Sequence, residues 1–258
     1  CGAIPFLFLV VLVSPAVRAD SLAACDSLYR VGDVEGSEIL VRAVLQDDPA
    51  DYEAAWRLSR SRISAGNLAE SRDETRRCFE EARDMANLAI ELNPQGTSGY
   101  TCLAVCAGRL ARFEKGAGKI AMAEKARAAA LKAIELDDRN DLAHLVLGVW
   151  NREIATVGGL TKLAAKVFYG GVPAGASLEN SEIHLRRAVE LAPGFLNHHR
   201  ELAITLMEME RWEEAVAELE TAVGCGWRQP QDPVYAEDAL ELLEEARLEM
   251  EEKRSRHW

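Results

Sequence analysis

Apolar residues recur along this chain roughly every three to four positions, in stretches separated by Gly, Asn-Pro or Asp-rich breaks, which is the spacing of amphipathic helices. Leu22 to Val31 and Val34 to Leu45 predict a first pair of short helices, closed by Asp48-Pro49. Tyr52 to Ala65 and Leu68 to Leu92 predict a second pair, divided at Gly66-Asn67 and closed by Asn93-Pro94. Gly99 to Phe113 and Ile120 to Leu136 predict a third, and Leu142 to Ala155 with Ser181 to Leu191 a fourth. A fifth carries Leu202-Ala203, Leu206, Trp212, Ala215, Leu219 and Ala222. Beyond Pro230 and Pro233 a Glu-rich helix, Val234 to Lys253, shows a stripe of Leu240, Leu243, Ala246 and Met250 and is expected to cap the last pair, with a partner-binding acidic helix as the alternative.

The fifth pair has the tetratricopeptide arrangement: a large-small pair, an apolar residue three further on, then Ala, a large residue four on, and a second Ala. The alanines let antiparallel helices approach closely while the large residues fill the remaining space. Three closing motifs repeat almost residue for residue: Ala89-Ile90-Glu91-Leu92-Asn93-Pro94, Ala133-Ile134-Glu135-Leu136-Asp137-Asp138 and Ala188-Val189-Glu190-Leu191-Ala192-Pro193. They lie about 44 and about 55 residues apart, longer than the unit of about 34. In the fourth pair the extra length is visible. Gly158 to Tyr169 reads as a short amphipathic helix and Gly170 to Ala176 as a turn, too apolar to hang in water. Together these predict an all-α fold, a tetratricopeptide-like right-handed α-solenoid of about five helical hairpins with a helical insertion in the fourth. Its expected parts are a degenerate capping hairpin over 20–50, repeats over 51–228 and a C-terminal cap over 229–258.

Composition agrees. Hydrophobic residues make up 48% and aromatic residues 6%, a balance in which strand formers are sparse. The net charge of −12 opposes nucleic acid as a partner, since a non-specific binder needs a basic face. The run from Ala3 to Val13, followed by Val17 and Ala19 before Asp20, resembles a secretory signal peptide (residues 1–19) whose basic n-region is missing. The expectation is an exported chain, periplasmic or secreted, or a membrane-anchored one if the segment is uncleaved. A lipoprotein reading of Cys1-Gly2 fits poorly, because the apolar run follows the cysteine. Cys25, Cys78, Cys102, Cys106 and Cys225 form no metal-type pair; Cys102 and Cys106 share a helix face and are expected to be small buried residues.

No catalytic constellation emerges. Gly116-x-Gly118-Lys119 lacks the spacing of a phosphate loop, and no nucleophile elbow is present. His198 and His199 point about 100° apart on a helix, while His144 and His184 have no companion in sequence. The expectation is therefore a non-enzymatic protein without metal or cofactor. Solenoids of this kind bind along the concave face made by the first helices. Projected from the repeat register, that face carries Trp56, Arg60, Thr101, Val149, Arg152, Asn197, Arg200 and Ile204. The arginines suit a carboxylate or phosphate and Trp56 an apolar anchor. The competing reading makes Trp56 and Trp150 core residues, the arginines surface charges, and Asn151 and Glu153 ties to the insertion.

Several segments resemble the regulator of microtubule dynamics family, a branch of atypical tetratricopeptide proteins. They are Ala55-Trp56-Arg57-Leu58-Ser59-Arg60, Lys119-Ile120-Ala121 and Ala133 to Asp137, followed by Leu147-Gly148-Val149-Trp150-Asn151-Arg152-Glu153-Ile154-Ala155. Lys162-Leu163-Ala164, Phe168, Gly170, Pro173, Ser177, Glu179 and Ala188 to Phe195 continue the likeness, which spans about Asp51 to Ala222. Where the family carries a Trp in the third hairpin, this chain has Gly99-Tyr100-Thr101-Cys102-Leu103-Ala104. The resemblance implies long repeats with an insertion. It also implies association with microtubules or membrane contact sites in eukaryotic members, some of which have lipid-binding repeats. A bacterial-type exported relative would not meet microtubules. The first function expected is a scaffold for a peptide or protein partner; the second is a lipid-binding or membrane-tethering module, suggested by this likeness and by the apolar segment Leu160 to Val172.

Overall fold

A computed structural model describes residues 15–157 and 175–256, which form eleven α-helices and one 3-10 turn. The helices are α1 (Pro15–Arg30), α2 (Val34–Asp47), α3 (Tyr52–Leu68), α4 (Arg72–Leu92), α5 (Thr97–Leu110) and α6 (Gly116–Leu136). They continue as α7 (Asp141–Ala155), α8 (Leu178–Leu191), α9 (Leu196–Glu208), α10 (Trp212–Gly224) and α11 (Asp232–Arg256). Consecutive helices pair as five antiparallel hairpins, and α11 packs on α9 and α10 as the next layer. Among the described residues there is no β-strand, and no helix is long and apolar enough to cross a membrane. The fold is a right-handed tetratricopeptide-like solenoid.

The repeated closing motifs do the same job three times. The N–H groups of Asn93, Asp137 and Ala192 donate to the carbonyls of Ala89, Ala133 and Ala188 at 2.9, 2.9 and 3.0 Å. Next, the N–H groups of Gly96, Asn140 and Phe195 donate back to the Asn93, Asp137 and Ala192 carbonyls. Each motif thus stops one helix and starts the next in the same few residues. Asp48 and Asp51 repeat both bonds after α2, which marks the degenerate first hairpin as a true repeat. Side-chain caps fix further starts: Asp51, Asn140 and Ser177 accept from the N–H groups of Ala54, Ala143 and Asn180, each worth about 1 kcal/mol.

The seams between helices are lined by alanine. Ala54, Ala82, Ala133, Ala188, Ala203 and Ala222 are all fully buried, with Leu185, Leu202 and Leu206 filling the gaps. Cys102 and Cys106 belong to this core as expected, and burial pushes the Cys102 thiol up to about 11. In the first hairpins the buried hydroxyls pair internally: Cys25 with Ser37, Ser37 with Ser61, and Ser59 with the Ala82 carbonyl.

Several details differ from the sequence expectation. Gly66-Asn67 does not break α3, which runs on to Leu68, and α4 starts at Arg72 behind the cap Ser71. Gly66 is there for proximity: a Cβ at that position would sit 2.7 Å from the Phe79 ring. Helix α6 starts at Gly116 rather than Ile120. The buried stripe of α11 is Ala239, Leu243 and Ala246, while Leu240 is half exposed. Helix α1 runs through Ala19 and Asp20, the expected cleavage point; the rest of the expected signal segment, residues 1–14, lies outside the described residues. So does nearly all of the expected insertion, 158–174, and with it any tie from Asn151 or Glu153. Asn151 bonds instead to the Leu147 carbonyl of its own helix.

Candidate functional site

The first helices of successive hairpins, α1, α3, α5, α7 and α9, touch one another in series and make the inner wall of the stack. The predicted face residues separate into two groups on that wall. At one end, Arg60 pairs with Asp26 of α1 at 2.7 Å and lies over the Tyr29 ring at 4.0 Å. Trp56 stands beside it, with the Arg57 guanidinium 4.2 Å above its ring and its indole N–H on Glu53. Burial pushes the Asp26 carboxyl up, but hydrogen bonds from Arg57 and Arg60 win and leave it lowered.

The second group is denser. Arg152 of α7 is buried and donates to Glu201 of α9, both to the carboxylate at 2.5 Å and to the backbone carbonyl at 2.9 Å. Arg200 donates to the same carboxylate at 2.6 Å, to the Asn197 side chain at 3.3 Å, and to Asp238 of α11. Burial alone would raise Glu201. The charges of Arg152, Arg200 and, from α5, Arg109 overcome it and hold the carboxyl at about 2. Val149 and Ile204 are half-buried. Thr101 is not available to a ligand: it is buried and receives the Asn140 amide at 2.7 Å.

What the register does not reveal is that the wall is covered by the chain's own C-terminal segment. Ser64 of α3 donates to Gln231 at 3.0 Å, Arg109 of α5 donates to the Tyr235 hydroxyl at 2.7 Å, and Arg200 of α9 donates to Asp238. Residues 229–238 therefore cross the inner face from α9 to α3. Gln231 and Asp232 are buried in this crossing. Asp232 accepts the backbone N–H groups of Arg228 and Gln229, so the segment carries its own turn. The helix expected to cap the last pair thus also reaches the inner face through its first turn. Sequence reasoning missed Arg109, Glu201, Gln231, Tyr235 and Asp238; three unpaired-looking arginines on one face were the signal for the carboxylates.

The histidines also have partners. His144 of α7 and His184 of α8 do have a companion, each other, with Nδ1 atoms 3.1 Å apart. His198 faces Asp141 at 2.7 Å, and His199 sits between Glu218 at 2.7 Å and the Pro193 carbonyl at 2.9 Å. A cavity of about 310 Å³ lies away from the inner wall, between α2, α3 and α4, lined by Leu45, Leu58, Met85 and Leu88.

The profile of the regulator of microtubule dynamics protein 1-3 family matches residues 21–247, nearly the whole described solenoid. The chain belongs to this family. Among family members, regulator of microtubule dynamics protein 1 of Bos taurus is 27% identical over 190 residues, covering 72% of this chain and 59% of that protein. The Mus musculus protein 1 is 25% identical over 224 residues, covering 86% and 72%. The chain thus spans only part of its relatives. A thermophilic tetratricopeptide protein of Thermus thermophilus shares the fold with a TM-score of 0.63 at 20% identity, over 86% of this chain and 98% of that one.

Proposed function

We propose that this family member is a non-enzymatic scaffold that holds a peptide or protein partner against its concave face. A tetratricopeptide-like fold is that of a protein-interaction scaffold. The observation that carries the finer reading is the meeting of Arg109, Arg152 and Arg200, from three successive first helices, around Glu201 and the 229–238 segment. Such a face recognises carboxylates and main-chain polar groups through charge-assisted hydrogen bonds. The test is affinity capture from the source cells with wild type, Arg200→Glu and Arg109→Ala, each checked for folding by thermal unfolding. A partner held by wild type and lost with both variants supports the reading; equal capture by all three contradicts it.

A lipid-binding role rests on Leu160 to Val172, outside the described residues. Flotation with liposomes separates it from peptide binding. On the sequence of residues 3–19 the proposal also includes export, which cell fractionation tests.

A further inference from the structure

The segment lying across the inner wall matches that wall poorly in charge. Three guanidinium groups, Arg109, Arg152 and Arg200, converge there, and two carboxylates, Glu201 and Asp238, answer them. Among the described residues, the Arg109 side chain donates one hydrogen bond, to a neutral phenol, that of Tyr235. Ser64 meets a neutral amide, that of Gln231. Only Asp238 supplies the segment with a charge-to-charge contact. Hydrogen bonds between two ionised groups are roughly twice as strong as neutral ones, so a ligand with a carboxylate at the Tyr235 position would satisfy Arg109 better than the chain itself does.

The segment's apolar hold is partial: Pro230 is buried and Tyr235 and Ala236 pack against the core, whereas Pro233 and Val234 are exposed. The buried stripe of α11 begins just after it, at the fully buried Ala239, and continues with Leu243 and Ala246. The turn around Asp232 is closed by bonds within the segment, to the N–H groups of Arg228 and Gln229, and would travel with it.

We propose that residues 229–238 are an exchangeable self-ligand, occupying the place of an acidic peptide segment that displaces them by offering carboxylates to Arg109 and Arg200. This rests on the scaffold reading above and names its partner class and its regulation: the empty protein is closed, and a partner pays the cost of opening it.

The test uses the full chain and a fluorescent decapeptide with the segment's own sequence, glutamate replacing tyrosine: Gln-Pro-Gln-Asp-Pro-Val-Glu-Ala-Glu-Asp. Its affinity is measured for wild type, for an opened variant (Gln231→Ala with Tyr235→Phe), for a closed variant (Tyr235→Glu), and for the opened variant carrying Arg109→Ala. Because apparent affinity scales with the fraction of open protein, the opened variant is expected to bind about tenfold more tightly than wild type. Tyr235→Glu is expected to bind more weakly than wild type, and Arg109→Ala to remove the gain. The closed variant gives up the Tyr235 ring and its contact with the Arg200 guanidinium but keeps the Ser64–Gln231 and Arg200–Asp238 bonds, so it carries the test even where the opened variant fails to fold. Equal affinities across the series, or no saturable binding to the opened protein, overturn the proposal. If partner capture is nonetheless lost with Arg200→Glu and Arg109→Ala, the scaffold reading stands and only the exchange is refuted.

Discussion

Arg152 of α7 and Glu201 of α9 form a buried ion pair that ties two successive first helices together at the centre of the inner wall. The guanidinium also holds the Glu201 carbonyl and, at 3.3 Å, the Thr205 hydroxyl. Glu201 thus supports the site at both ends, fixing Arg152 on one side and Arg200 on the other.

Removing one partner of such a pair leaves a buried charge unanswered. Glu201→Gln is expected to destabilise the fold by about 3 kcal/mol, read as a shift of the urea midpoint. The acid limb tests the same pair. A carboxyl held at about 2 in the fold, against 4.5 as the ordinary value, adds stability that is complete above about 4.5 and is lost as pH falls towards about 2. The wild-type advantage over Glu201→Gln should shrink through that window.

The histidines give opposite signs on either side of the ordinary imidazole value of 6.5. Burial, and for His184 the charge of His144, lowers both members of that pair. Their contribution is present above 6.5 and is lost as pH falls below it, since two imidazoliums with Nδ1 atoms 3.1 Å apart repel. His199 is buried too, but the bonds to Glu218 and the Pro193 carbonyl win and raise it. Its contribution is present below 6.5 and is lost as pH rises through the folded value. Melting temperature against pH should therefore lose its step below 6.5 in His184→Gln and its step above 6.5 in His199→Gln.

Two glycines on successive first helices should respond in opposite directions. At Gly148 an added Cβ would lie 2.4 Å from the fully buried Leu185, so Gly148→Ala is expected to cost about 1–3 kcal/mol. At Gly108 the nearest atom would be Ala126 Cβ at 3.9 Å. Gly108→Ala is expected to gain about 0.5–1 kcal/mol from helix propensity. Chemical denaturation of the two variants checks both signs.

Thiol reactivity should single out one residue. Of the five described cysteines, only Cys225 is not buried, and Cys102 is held near 11 by burial. A maleimide followed by peptide mapping should label Cys225 well before Cys25, Cys78, Cys102 or Cys106.

The hairpins were legible because their information is local and repeated. Ala89, Ala133 and Ala188 sit in near-identical strings, and each accepts the same capping bond. The break expected at Gly66 fails for a local reason as well. Glycine marks both a chain break and a close approach, and only the position of Phe79 tells which applies at Gly66. The site was half legible. Periodicity assigned Arg60, Arg152 and Arg200 to one face, but it carries no information on what faces them. Gln231 meets Ser64 across 167 positions of sequence, and Tyr235 meets Arg109 across 126. Those contacts depend on how tightly the whole stack curls, a sum of small rotations over every hairpin. His144 and His184 stayed apart in the sequence reading because the long insertion between α7 and α8 hides their register.

Hydrogen–deuterium exchange on the protein with and without its captured partner tests the central claim, recognition on the inner wall, most directly. The account predicts that the partner slows exchange in the first helices α5, α7 and α9 and quickens it in residues 229–238. Protection confined to the second helices α4, α6, α8 and α10, with 229–238 unchanged, would contradict it.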